Sequence, residues 1–178
     1  MKKQITLKSV LVTGAAGGIG SAIVDALMRS GWKVIGSDHP SVNPTSKTRS
    51  QCQAWVAADL STLTRQPDHL EEFCSAIMSA TTDSKLMGIV HNAAVQRLGT
   101  FNELILNDWE EVMAVNLLAP VAINKALMPS LQHQGGSIVH IGSIHSQLTK
   151  PGFTAYATSK AALGGLTRAM AVELGSCI

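Results

Sequence analysis

The chain has 178 residues, of which 46% are hydrophobic and 15% charged, a composition that suits one packed core and excludes a disordered chain. Its net charge of +2 comes from scattered Lys and Arg, with no basic run beyond Lys2-Lys3, so there is no electrostatic case for nucleic acid. The apolar runs are too short to cross a bilayer, and Cys52, Cys74 and Cys177 have neither CxxC nor metal-ligand spacing. We therefore expect a reducing, cytoplasmic setting without membrane or metal.

The N-terminal stretch "QITLKSVLVTG" is interrupted by Lys8 and reads as a lead into a strand, not as a secretion signal. "SVLVTG" (9–14) is a buried strand ended by glycine, and "GIGSAIVDALMRSG" (18–31) is a helix closed by Gly31. A second strand is expected over 32–38. The polar 39–51 segment, with two prolines, reads as a surface loop. A third strand follows at 54–59, a helix at 68–80 and a fourth strand at 86–94. "NDWE" (107–110) resembles a capping box, with Asn107 as the cap and Glu110 as its partner. The helix it opens carries Pro120 in its interior. A fifth strand is expected over 136–143, a loop over 143–153 and a last helix over 154–175. Strand and helix alternate, which predicts an α/β fold: a three-layer, doubly wound parallel sheet with helices on both faces.

The loop "TGAAGGIG" (13–20) joins the first strand to the first helix, with Gly14, Gly18 and Gly20 spaced as GxxxGxG. Such glycines let backbone approach a pyrophosphate, and the helix N-terminus offers free N–H groups to it. Any tight strand–helix turn also favours glycine. Asp38 ends the second strand. A carboxylate there accepts ribose hydroxyls of NAD and repels the extra phosphate of NADP, and neither Ser37 nor His39 is an arginine that would receive that phosphate. The alternative for Asp38 is a turn cap before Pro40. Asp59 meets either an adenine amino group or the turn at Ser61.

Tyr156 is the one tyrosine of the chain, and Lys160 follows four residues later on the same helix face. A phenol beside an ammonium is biased toward phenolate and can exchange a proton with a carbonyl or alcohol oxygen. Ser143 ends the fifth strand and can hold the same oxygen. Pro120 has no N–H, so the Asn116 carbonyl lacks its helical donor and is free to hold a water; a plain kink is the alternative. His145 either lines a substrate pocket or sits in a solvated loop. His91 reads as a strand-end packing residue. His69, His133 and His140 have no carboxylate at metal-ligand spacing.

With "TGAAGGIG", Asp38, "NAA" (92–94), Asn116, Ser143 and "YATSK" (156–160) in order, the chain resembles the short-chain dehydrogenase/reductase family over nearly its whole length. His91 and Ala94 depart from the family's usual "NNAG". The resemblance implies a catalytic set of Asn116, Ser143, Tyr156 and Lys160. Tyr156 is then the acid/base, Lys160 its tuner and ribose ligand, Ser143 the oxygen anchor, and Asn116 the holder of a relay water. It implies a cofactor-binding set of Gly14, Gly18, Ile19, Gly20, Asp38, Asp59, Leu60, Asn92, Ala93, Ala94, Tyr156 and Lys160. The implied reaction is hydride transfer between NAD(H), preferred over NADP(H), and a small-molecule carbonyl or secondary alcohol. Family members commonly pair through the helices at 108–131 and 154–174, so a homodimer or homotetramer is expected.

We expect one NAD(P)-binding Rossmann-like domain over 1–178. Family members usually continue with further strands and a substrate-covering segment, so this chain reads as a shortened member lacking the last strands. Its fifth strand then becomes an apolar sheet edge. A cofactor-binding module without turnover is the alternative function, and a partner-binding protein that merely kept the fold is a third.

Overall fold

Val10, Leu11 and Val12 are all buried, so this run must be covered on both of its faces. In the computed structural model, which describes residues 8–81, 85–132, 135–175 and 178, it lies at the centre of a sheet. The strands are β1 (Lys8–Thr13), β2 (Lys33–Asp38), β3 (Ala54–Ala57), β4 (Lys85–His91) and β5 (Ser137–His140). All neighbouring pairs are parallel, in the order β3-β2-β1-β4-β5. The helices are α1 (Gly18–Arg29), α2 (Ser46–Gln51), α3 (Pro67–Ser79), α4 (Leu106–Met113), α5 (Ala119–Gln132) and α6 (Thr154–Leu174).

Alternation along the strands sorts the core into two halves. Leu11, Ile35 and Ile89 face Phe73 and Ile77 of α3 and Ile123, Leu127 and Leu131 of α5. Val10, Val12, Val34 and Val90 face the other way, where Val24 of α1 packs. This is the expected three-layer α/β sheet. Its order reverses direction beside β1, which opens a crevice at the carboxyl ends of β1 and β4. β5 forms an edge, and Val139 on it is 47% exposed.

The helix expected from Asn107 onward differs in two respects. Its N-cap is Ile105, and the Asp108 carboxylate accepts the Ile105 N–H at 3.0 Å; Glu110 instead pairs with Arg65. Asn107 therefore lies inside the first turn and caps nothing. Between α4 and α5 the chain makes one π turn, Ala114–Leu118, in which the Ala119 N–H reaches back five residues to the Ala114 carbonyl. Pro120 supplies the cause: with no N–H to give Asn116, the ladder loses a rung there and the helix widens. The stretch Leu106–Gln132 is, by length and hydropathy alone, long and apolar enough to cross a membrane, contrary to the sequence expectation. Here Val112, Ala119, Ile123, Leu127 and Leu131 of that stretch are buried in the protein's own core.

The 39–51 segment is not all loop. Thr45 accepts the Thr48 N–H at 3.1 Å and caps α2, on which Thr48 is buried. Several strands also end earlier than expected: β3 stops at Ala57, β4 at His91 and β5 at His140, so Asn92, Ala93, Ala94 and Ser143 stand in the loops beyond. A short 3-10 turn, Ile144–Ser146, occupies the loop after β5. Cys52 and Cys74 are free and half-buried; Cys177 and His133 lie outside the described residues.

His91 is 3% exposed and its Nε2 meets Asn124 Oδ1 at 2.8 Å. Its ring stacks on His140, 5.1 Å away, and the His140 Nδ1 meets Thr167 Oγ1 at 2.9 Å. This chain of polar groups ties β4 and β5 to α5 and α6. Burial holds the His91 pKa down, to about 3. A depressed native pKa gives stability that is complete above the unfolded value, ~6.5, and is lost as pH falls toward about 3. His91→Asn should therefore flatten the pH dependence of unfolding free energy in this window, by up to ~1.4 kcal/mol per pH unit, the slope of one proton. Urea titrations between pH 7 and 4 check this; parallel profiles for the two proteins would contradict it.

Candidate active site at the carboxyl edge of the sheet

Thr13 ends β1 and is the hub of the edge. Its Oγ1 accepts the N–H groups of Asn92 and Ala93, each at 3.2 Å. The Asn92 amide returns the contact, donating to the carbonyls of Thr13 at 3.1 Å and Gly14 at 2.9 Å. Gly14 has φ +64, and a Cβ there would stand 2.8 Å from the Ala93 Cα. Gly20 is equally forced, since its Cβ would fall 2.0 Å from the Gly14 carbonyl oxygen. Gly18 differs: a Cβ there would meet nothing of the protein. α1 starts at Gly18 with no side-chain cap and no acid in its first turn. Its first N–H groups are thus left for an outside acceptor, the arrangement that holds phosphate.

A cavity of about 720 Å³ opens in front of this loop. Gly14, Gly18, Ile19, Gly20, Asp38, Asp59, Leu60, Asn92, Ala93 and Ala94, all expected from the sequence to hold a cofactor, line it together. Asp38 Oδ2 accepts the Ala16 N–H at 2.9 Å and Oδ1 accepts the His39 N–H at 2.8 Å. The carboxylate thus braces the glycine loop, and each oxygen retains a further lone pair for a ligand. Asp59 does cap its turn, accepting from the Ser61 N–H at 2.9 Å and Oγ at 2.7 Å. Burial alone would raise its pKa, but the Ser61 bonds and His39, 3.7 Å away, outweigh that and lower it.

Arg97 and Glu111 also line the cavity, and sequence reasoning missed them. They form a bidentate pair, with both contacts at 2.7 Å. Fourteen positions separate them, so neither helical nor strand spacing signals the contact. Thr13 was passed over too, because its role depends on a segment about eighty residues away.

Ser143, Tyr156 and Lys160 stand beyond the cavity lining, at the ends of β5 and α6. The His145 N–H donates to Ser143 Oγ at 3.2 Å. Tyr156 is 9% exposed and forms T-shaped ring pairs with His145 and Phe153 at centroid distances of 6.1 and 6.3 Å. The Lys160 ammonium lies 5.8 Å from the Tyr156 ring centroid and donates to the Ile141 carbonyl at 2.8 Å. Burial lowers the Lys160 pKa. The water-holding role expected of Asn116 falls to its backbone carbonyl, and its side chain is engaged within the fold. Its Oδ1 accepts the Val95 N–H at 2.8 Å, and its Nδ2 donates to the Val95 carbonyl at 3.0 Å and Ser159 Oγ at 2.9 Å. The side chain is fully occupied in fixing the loop after β4 to α6. His69 meets Thr62, and among the described residues no group of three or more His, Cys, Asp or Glu could hold a metal ion.

Residues 8–177 match the model of the short chain dehydrogenase family. The chain belongs to that family. It is 30% identical over 168 residues to an acetoacetyl-CoA reductase of an Acinetobacter strain, covering 93% of this chain and 68% of the relative. It is also 30% identical to the 5-keto-D-gluconate 5-reductase of Escherichia coli, covering 94% of this chain and 66% of that protein. Among solved structures, an oxidoreductase of the family from Brucella ovis, in complex with a partially ordered NAD, superposes with a TM-score of 0.84 at 31% identity. That match covers 96% of this chain and 78% of the other. The chain spans about 60–68% of the length of the first curated relatives it matches.

The glycine geometry separates fold from ligand. Gly18→Ala should leave the melting temperature nearly unchanged yet weaken NADH binding by about tenfold or more, since its Cβ enters only the open cradle. Gly20→Ala should lower the melting temperature sharply, because its Cβ overlaps backbone. Thermal denaturation and NADH fluorescence titration check both. Undiminished NADH affinity in the Gly18 variant would contradict the cradle.

Proposed function

We propose that this chain is a single Rossmann-like domain of an NAD(H)-dependent oxidoreductase that interconverts a carbonyl and a secondary alcohol. The observation that carries the reading is the buried Tyr156–Lys160 pair, with Ser143 in the loop after β5, standing on the same sheet edge as the glycine cradle. When bound, the nicotinamide supplies or takes the hydride.

The protein's own part follows from its contacts. Ser143 Oγ takes the His145 N–H on one lone pair, which leaves its hydroxyl proton for the substrate oxygen. Tyr156 gives that oxygen a proton during reduction and takes it back during oxidation. Lys160 keeps a buried positive charge beside the phenol, anchored on the Ile141 carbonyl. Asn116 acts through its backbone: Pro120 leaves its carbonyl without the helical donor, and that carbonyl holds the relay water. The cofactor-binding residues are those lining the cavity, together with Tyr156 and Lys160 at the nicotinamide end.

Asp38 supports NAD(H) over NADP(H), because its carboxylate stands at the end of β2 on the cavity wall and repels a ribose phosphate. The names of the relatives, reductases of a β-ketoacyl thioester and of a keto-sugar acid, support small carbonyl substrates. Exposed Leu118 on the π turn and the half-exposed Gly164 and Gly165 of α6 support pairing of α4–α5 and α6 with a second copy, as a homodimer or homotetramer. A cytoplasmic location accords with this chemistry.

Tyr156→Phe should leave NADH binding within about twofold and lower turnover by ~10²-fold or more, since only the hydroxyl is lost. Steady-state rates and NADH titration check it; unchanged turnover removes Tyr156 from the chemistry. NADH should bind at least about tenfold more tightly than NADPH, and Asp38→Ala should narrow the gap. Equal affinities in the unmodified chain would end the argument for Asp38.

A further inference from the structure

His140 and Ile141 stand side by side at the end of β5, and each is bonded to α6. The Lys160 ammonium donates to the Ile141 carbonyl at 2.8 Å. Seven residues further along the same helix, on the same face, Thr167 Oγ1 meets His140 Nδ1 at 2.9 Å. The Ile141 N–H is spent on the His91 carbonyl at 2.9 Å. The carbonyl that holds Lys160 therefore belongs to backbone fixed against β4 on one side and, through His140, against α6 on the other.

Bond directions fix the protonation of His140. Thr167 gives its hydroxyl proton to the Leu163 carbonyl at 2.8 Å, so toward His140 its oxygen accepts. The imidazole proton is therefore on Nδ1. Nε2 keeps its lone pair toward the Asn124 Nδ2, 3.4 Å away, while Asn124 Oδ1 accepts from His91 Nε2 at 2.8 Å. A second proton on His140 would set N–H against N–H at Asn124. Turning the Asn124 amide over moves that conflict to His91 Nε2. The titratable groups facing the ring are His91, stacked on it from β4, and Lys160 of α6, and neither is an anion. Burial and the Lys160 charge together hold the His140 pKa below its ordinary value.

We infer that His140 is a positioning residue for Lys160, and that only its neutral form holds the lysine in place beside the phenol. The inference rests on Tyr156 and Lys160 as the proton-exchanging pair. Neutral His140 ties β5 to α6 at Thr167 and so keeps the Ile141 carbonyl within reach of the ammonium. Protonated His140 gives up its place beside Asn124, and the end of β5 moves with it. Carbonyl reduction then has an acid limit that Tyr156 does not set, since reduction needs the phenol protonated. Because the His140 pKa is lowered, activity persists below the ordinary imidazole value, ~6.5, and is lost further into acid.

Two variants test this. His140→Asn keeps an amide N–H near the place of Nδ1 and cannot titrate; His140→Leu removes the donor. For reduction of a small ketone by NADH, kcat/KM of the unmodified protein should fall on the acid side of the imidazole range by up to about tenfold per pH unit, the slope of one proton, and recover on return to about pH 8. The Asn variant should stay within about twofold over the same range, and the Leu variant should be lowered by about tenfold or more already at about pH 8. The same acid limb in the Asn variant, no limb in the unmodified protein, or an unaffected Leu variant overturns the inference. A second measurement needs no turnover. Tyr156 is the one tyrosine, so phenolate absorbance of the folded protein reports it alone. With Lys160 displaced, the midpoint of that titration should move to higher pH in the Leu variant and stay in place in the Asn variant. Equal midpoints in all three proteins also overturn the inference. The expected pattern of midpoints in a protein that turns over no carbonyl would instead count against the proposed reaction.

Discussion

The whole site hangs on the reciprocal bond between Thr13 and Asn92. One hydroxyl accepts two backbone N–H groups, and one side-chain amide satisfies two carbonyls of the glycine turn. These bonds close the gap between β1 and β4 where the sheet's winding changes direction, and they hold the glycine loop open toward the cavity. Asp38 extends the clamp to β2 through the Ala16 N–H, while the Ala15 N–H meets the Ser37 carbonyl at 3.0 Å. Three strand ends are thereby locked in register before any ligand arrives. Preorganisation of this kind spares binding the cost of ordering a loop.

A second set of ties fixes the half of the edge that carries Tyr156. The side chain of Asn116 joins the loop after β4 to Ser159 of α6, and Ser159 Oγ donates to the Tyr156 carbonyl at 2.7 Å. Lys160 joins α6 to the end of β5. Behind them the His91–Asn124–His140–Thr167 chain repeats the connection deeper in the layer. Burial lowers the pKa of both histidines, and the nearby Lys160 charge adds to this for His140. Two histidines thus carry out in the interior what shorter amides would do, at the cost of sensitivity to acid.

Much of this was legible in the sequence because it is local. Strand runs such as "SVLVTG", the glycine spacing and the Tyr156–Lys160 interval are all written within a few residues. What escaped is of two kinds: contacts between distant residues, and local bonds for which neighbouring residues compete. Thr45 caps a helix in a segment whose prolines argue for loop, and burial of Thr48 tips the balance. Asn107 has the right chemistry for a cap, yet Asp108 one position later reaches the free N–H of Ile105. Pro120 signals in the sequence an Asn116 carbonyl without its usual helical donor, but no local signal marks the engagement of the Asn116 side chain by Val95 and Ser159. The Arg97–Glu111 pair has no signal in any local window.

The central claim is that the cradle and the tyrosine act on one reaction, with the cofactor's C4 hydrogen delivered to a carbon beside Ser143 and Tyr156. NADH carrying deuterium at both C4 positions tests it most directly, with the product of a small ketone panel analysed by mass spectrometry. The expected result is an alcohol that carries one deuterium on its carbinol carbon, and no such product from the Tyr156→Phe variant over the same interval. Bound NADH that passes no deuterium to any carbonyl, or label transfer that persists undiminished without the phenol, would contradict the account.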